Sequence, residues 1–108
     1  MSILENELEF QMKAAGLPEA VREFKFCSTR NWRADYTFPS MRILIEVEGA
    51  TWSGGRHTRG QGYEDDCEKY NTAQELGFVV LRFTSGPVRS GEALATIERF
   101  LRIRGWSG

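Results

Sequence analysis

Three carboxylates in one short stretch are the residues best placed to do chemistry. Residues 33–49, RADYTFPSMRILIEVEG, read as two strands joined by a turn. The first strand carries a lone Asp35. The second runs through Met41, Ile43, Leu44 and Ile45 and ends in Glu46-Val47-Glu48-Gly49. Strand side chains alternate between faces, so Glu46 and Glu48 share one face and Val47 takes the other. Carboxylates at the end of an apolar strand are costly unless a positive charge sits between them. A divalent metal meets that need, and hard oxygen ligands suit Mg2+ or Mn2+.

The elements that must position these groups follow from periodicity. Residues 2–15 read as an amphipathic helix. Ser2 is its N-cap, Glu5 a capping-box partner, and Ile3 or Leu4, Leu8 and Met12 form the apolar stripe. Phe10 and Ala14 or Ala15 are expected to widen that face, and Gly16-Leu17-Pro18 stops the helix. Residues 21–27 alternate as a strand with Arg22, Phe24 and Phe26 on one side. Residues 32–38 and 41–48 are the next two strands, and the near-continuous apolar run marks the latter as central. Residues 49–62, GATWSGGRHTRGQG, read as a long loop, and long loops in compact domains are usually functional. Residues 63–76 form a second helix, with Tyr63, Cys67, Tyr70 and Gln74 on one stripe. Gly77 caps it, and FVVLRF (78–83) is a fourth strand. Residues 84–90 read as a loop around Pro87, and 91–103 as a last helix with Leu94, Ile97, Leu101 and neighbouring Phe100 inward. The tail RGWSG is expected to fray. The order αβββαβα implies an α/β fold, a mixed central sheet flanked by helices.

Composition sets the outer limits. A chain of 108 residues is expected to be one domain, 1–108. No run of about 18 apolar residues suggests a membrane span, and the acidic start MSILENELEF is unlike a signal peptide. Cys27 and Cys67 lie far apart, and with the single His57 they match no zinc spacing. Free thiols point to a cytoplasmic protein. The net charge of -1, from 14 basic and 15 acidic residues, argues against a purely electrostatic nucleic-acid binder.

The ordered set Asp35, Glu46-Val47-Glu48-Gly49, Asp66, Lys69 and LGFVVLRFT resembles the PD-(D/E)XK nuclease superfamily. More closely it looks like the very-short-patch-repair-like, DUF559-type endonucleases of bacteria and phage. The resemblance runs from about Glu5 to Phe83, and it rests on order and spacing because each motif is short. It implies a restriction-endonuclease-like core and a Mg2+- or Mn2+-dependent endonuclease acting on DNA. Asp35 and Glu46 are the implied metal ligands, with the Val47 carbonyl adding a third oxygen. The other reading of Asp35 is a strand-end charge paired with Arg33 or Arg30.

Glu48 stands where the superfamily usually has lysine. Some restriction enzymes resembling this family use glutamate there, to hold metal or the attacking water. Lys69 is then a candidate for the relocated lysine, and its alternative is a solvated helical pair with Asp66. His57 on the loop suits proton transfer or phosphate contact, unless it is an incidental loop residue. Arg56, Arg59 and Arg33 are candidate DNA contacts. Trp52 either stacks on bases or anchors the loop. The first helix of such folds often donates an acidic residue, so Glu5, or Glu9 one turn on, is expected at the metal. Arg82 either pairs with an acidic group or faces DNA.

The chain's size and the lack of an added recognition domain point to a structure-directed or weakly sequence-specific cutter of branched, nicked or mismatched DNA, expected in a bacterial cytoplasm or that of a phage host. One such domain cuts one strand, and a double-strand cut needs a homodimer. A non-catalytic nucleic-acid-binding or partner module with the same fold is the rival reading.

Overall fold

The central strands form because their sequence is almost wholly apolar. The computed structural model describes residues 2–49 and 60–108, apart from the side chain of Gln61. The loop residues Trp52, Arg56, His57 and Arg59 lie outside the described residues. Among the described residues four strands make one sheet in the order β1-β2-β3-β4: β1 (Val21–Lys25), β2 (Arg33–Phe38), β3 (Ile43–Val47) and β4 (Val79–Phe83). The β1–β2 and β2–β3 pairs are antiparallel. The β3–β4 pair is parallel, joined through helix α2 (Gly60–Glu75). Helix α1 (Ile3–Ala14) precedes the sheet, and α3 (Ser85–Ser90) and α4 (Glu92–Ile103) follow it. The mixed sheet flanked by helices is the α/β class that the periodicity predicts.

Strand alternation builds two cores. On one face Tyr36, Phe38, Ile43, Ile45, Leu81 and Phe83 pack against Leu4, Leu8 and Met12 of α1, Val88 of α3, and Ala93, Ile97 and Leu101 of α4. On the other face Leu44 meets Ala73 of α2, with Phe26, Cys27 and Phe78. Ile43 and Ile45 are fully buried, as a strand paired on both sides requires. Among the described residues no helix is long and apolar enough to cross a membrane.

Several elements depart from their sequence reading. Phe10 does not widen the buried face of α1 but is 72% exposed. Strand β1 ends at Lys25, so buried Phe26 and Cys27 belong to the connection to β2. Helix α2 begins at Gly60 rather than at Tyr63, and its inward side is set by Ala73, with Lys69 and Tyr70 half-buried. Tyr63, Cys67 and Gln74 of the expected stripe are exposed. Residues 85–90 are helix, not loop: Pro87 sits within the first turn, where its missing N–H costs nothing, and Val88 anchors the segment in the core.

The tail is held rather than frayed. Gly105 takes φ +108°, which turns the chain back after α4. The Trp106 amide donates to Leu101 O at 3.0 Å, its ring packs on the first core, and the Arg102 guanidinium lies 4.8 Å from the ring centre. Trp106→Ala is therefore expected to lower stability by about 2 kcal/mol in a chemical unfolding experiment. A freely fraying tail would show no change.

Candidate active site

The site lies at the C-terminal end of β3, where three layers meet. The β2–β3 register pairs Tyr36 with Ile45, which puts Asp35 opposite Glu46. The β3–β4 register pairs Glu46 with Arg82. Asp35, Glu46 and Arg82 thus stand side by side on neighbouring strands. Helix α2 brings Lys69 and Tyr70 over this row, and α1 brings Glu5 to its end.

Asp35 and Glu46 are fixed by the backbone as much as by each other. The Val47 amide donates to Asp35 Oδ2 at 2.8 Å, and the Asp35 amide donates to Glu46 Oε2 at 3.3 Å. Glu46 is only 9% exposed. Its other oxygen, Oε1, accepts from Lys69 Nζ at 3.3 Å and from the Tyr70 hydroxyl at 3.3 Å. Lys69 Nζ also donates to the Arg33 carbonyl at 2.9 Å, so the ammonium is held between β2 and β3. The contribution of Arg33 here is its backbone, and its side chain is exposed.

A third and a fourth carboxylate converge on Asp35. Oxygens of Glu5, Glu23 and Asp35 lie within 4.8 Å of one another. Glu23 faces Asp35 across the β1–β2 pair and takes a left-handed backbone, φ +52°. That conformation costs a residue with a side chain about 1 kcal/mol or more. It breaks the alternation of β1 and brings the Glu23 carboxylate to the cluster. Glu5 reconciles its two expected roles. Its amide donates to Ser2 Oγ at 3.0 Å, completing the cap, while its carboxylate joins Asp35. Glu9 is engaged elsewhere, by the Tyr36 hydroxyl at 3.0 Å and Lys13 at 3.0 Å.

Glu48 and Arg82 form a separate unit. Arg82 Nε and Nη2 both donate to the Glu48 carboxylate, the latter at 2.9 Å, in a forked pair. The Arg82 guanidinium also lies 4.5 Å from the Tyr70 ring centre. Tyr70 therefore links the Glu46–Lys69 pair to the Glu48–Arg82 pair. The pairing of Arg82 with an acidic group is one of its two sequence readings.

The electrostatics are those of a site short of positive charge. Burial pushes the Asp35 carboxyl above the usual carboxylate range, Glu23 and Glu48 push it further, and the Val47 amide and Lys69 oppose the rise. Burial likewise raises Glu46; Lys69 pulls it down and Asp35 pushes it up. Burial and then the Asp35 charge raise Glu5. Burial and the Glu46 charge raise the Tyr70 phenol, so it stays a proton donor at neutral pH.

The donor set suits a small hard cation. All three ligands the cluster offers are carboxylate oxygens, the hard donors that Mg2+ or Mn2+ takes. Such an ion would offset the burial and the mutual repulsion that raise these groups. Glu23 and Tyr70 escaped the sequence reading. Glu23 reads as one position of an alternating strand, and no residue-type signal marks a left-handed glutamate. Tyr70 was assigned to the stripe of α2, where spacing alone does not fix how the helix is rotated over the sheet.

No family model and no curated protein matches the chain. Among solved structures, the chain is similar to the catalytic domain of the homing endonuclease I-Bth0305I. The TM-score is 0.72 at 13% identity, over 98% of this chain and 100% of that one. The fold is nuclease-like. In this nuclease-like fold the likeness extends over the whole sheet and its helices, while the carboxylate cluster is a property of this chain's own residues.

Proposed function

We propose that the chain is a Mg2+- or Mn2+-dependent endodeoxyribonuclease of the PD-(D/E)XK type, hydrolysing DNA phosphodiester bonds. The observation that carries this reading is the convergence of the Glu5, Glu23 and Asp35 carboxylates from α1, β1 and β2, with Glu46 of β3 bonded to the Asp35 amide and holding the Lys69 ammonium. Asp35 and Glu46 hold the ion, with the Val47 carbonyl and Glu5 completing the set. A bound divalent ion supplies an activated water and neutralises charge on the attacked phosphate.

The chain's own groups do the rest. Lys69 takes the place of the lysine expected at position 48, and its ammonium steadies the phosphate's developing charge. Tyr70 fixes the orientation of Glu46 through its hydroxyl. Glu48 either reaches the water or the ion, or acts through Arg82. His57 is the loop's candidate for proton transfer to the leaving oxygen, and Arg56, Arg59, Arg33 and Trp52 are candidates for DNA contacts. The substrate is branched, nicked or mismatched DNA, cut one strand per copy, and a double-strand cut takes a homodimer. The protein acts in the cytoplasm.

Thermal melting tests the metal dependence. An ion that binds only the folded state at a hundredfold excess over its Kd adds about 2.7 kcal/mol. For a domain of this size that is a rise in Tm of roughly 10 °C or more with Mn2+ over EDTA. Glu46→Gln is expected to lose most of the rise. An equal rise in the variant, or none in wild type, contradicts the reading.

A further inference from the structure

A cleft of about 320 Å3 opens between the C-terminal half of α1 and the start of β1. Nothing in the hydrolytic scheme uses it. Its apolar lining includes Met12, Leu17 and Ala20, and Tyr36, buried at 1% exposure, lines it as well. Its polar groups are organised around Glu9. The Tyr36 hydroxyl donates to Glu9 Oε1 at 3.0 Å, Lys13 Nζ lies 3.0 Å from Oε2, and Arg22 Nε lies 4.0 Å from Oε1. The hydrogen bond from Lys13, then that from Tyr36, holds the Glu9 carboxyl below the usual range. The cleft thus keeps a fixed anion and two cations beside an apolar wall. Side chains of Lys13 and Arg22 are 71% and 46% exposed, so both ammonium and guanidinium can reach an incoming anion.

Position gives this cleft its meaning. Glu9 lies four residues, just over one helical turn, after Glu5, about 6 Å along α1. Arg22 is the residue before Glu23. The cleft is therefore the neighbour of the carboxylate cluster, at the distance of one or two nucleotide steps of about 3.4 Å each. A site that combines an apolar wall, a few fixed polar groups and this volume is of the kind that takes one small ligand unit. Beside a phosphodiester-cutting centre that unit is a nucleotide of the same strand.

We propose that this cleft receives one unstacked nucleotide adjoining the scissile phosphate, its base against Met12, Leu17 and Ala20 and its own phosphate between Lys13 and Arg22. The proposal rests on the nuclease reading for its substrate. It explains why branched, nicked or mismatched DNA suits the site, since such DNA releases a base from its stack at little cost. Glu9 then meets the polar edge of the base: each carboxylate oxygen has two acceptor sites, and Tyr36 and Lys13 use one of each pair.

The test is a fluorescence walk with 2-aminopurine, which brightens when it leaves the stack. The label is moved position by position along the cut strand of nicked and four-way-junction DNA, with Ca2+ in place of Mg2+ so that the strand stays whole. The expected result is a severalfold rise at one position beside the cut. The rise disappears in Ala20→Phe, which fills the cleft, and in Glu19→Trp, an exposed rim residue whose bulk covers the mouth. With Mg2+ the two variants raise KM about tenfold, the size of one base contact, and keep kcat. Melting curves establish that each variant folds, and Glu19→Trp decides alone if Ala20→Phe does not. A walk with no brightened position, or a rise that survives in the folded variants, overturns the proposal. If wild type cuts none of these DNAs with Mg2+ or Mn2+, the nuclease reading falls and this proposal falls with it, whereas cutting without a brightened position overturns the proposal alone.

Discussion

Asp35→Asn is expected to abolish cleavage and, without metal, to make the protein more stable. Both effects come from one carboxylate. As an ion ligand it has no substitute in an amide, so the loss of rate should be about a thousandfold or more. As part of a metal-free cluster it is a liability, because it is half-buried beside Glu5, Glu23 and Glu46. Asparagine keeps the acceptor for the Val47 amide and removes the charge. The folded carboxyl is raised above its unfolded value, so the folded chain holds that proton more tightly. Wild-type stability from this group is therefore greatest below the unfolded value of about 3.9 and is lost as pH rises through the raised folded value. In EDTA the variant should match wild type near pH 3.5 and melt on the order of 5 °C higher at pH 8, about 1 kcal/mol. With Mn2+ the order reverses, since only wild type gains from the ion. An Asp35→Asn protein that melts lower than wild type in EDTA at pH 8 would place Asp35 in a stabilising ion pair instead.

Lys69→Met is expected to damage both stability and rate, and the two should separate on adding a second change. The Lys69 and Glu46 side chains are 15% and 12% exposed, and removing the ammonium strands a buried carboxylate. Breaking such a pair costs several kcal/mol, but the Tyr70 hydroxyl and Asp35 amide still bind Glu46. A loss of about 2–3 kcal/mol in EDTA follows, roughly 10 °C or more in Tm. Mn2+ should recover much of it, since a divalent ion replaces the missing charge. Adding Glu46→Gln should recover it as well, because the stranded charge is gone. Neither should recover cleavage, which is expected to fall about a hundredfold or more in Lys69→Met. If Lys69 instead serves only as a solvated partner of Asp66, the single variant melts within about a degree of wild type.

The parts legible in the sequence are those set by long patterns. The apolar run of β3 named the central strand, and the turn before it fixed β2. Asp35 and Glu46 could be paired because two strands joined by a short turn leave few registers. Helix α1 was readable from its cap and stripe, and the same cap residue, Glu5, sits in the cluster. Short or rotational features were not readable. Helix α3 has six residues, fewer than two turns, and its Gly86 and Pro87 read as a loop. Its helix exists because Val88 is buried, which is a tertiary fact. Trp106 follows a glycine at the chain's end, and only the packed core shows what holds it. The left-handed Glu23 and the aim of Tyr70 depend on strain and helix rotation, which residue types do not encode.

The central claim is that the carboxylate row around Asp35 and Glu46 cuts DNA with a divalent ion. The measurement is cleavage of supercoiled plasmid, linear duplex, single strand, a four-way junction and a mismatched duplex, in Mn2+, Mg2+ or EDTA, by wild type and Glu46→Ala prepared in parallel. The account predicts cutting by wild type in Mn2+ or Mg2+, strongest on the branched or mismatched members, none in EDTA, and none by the variant. Cutting that persists in EDTA or in Glu46→Ala, or no cutting of any member by wild type, would contradict it.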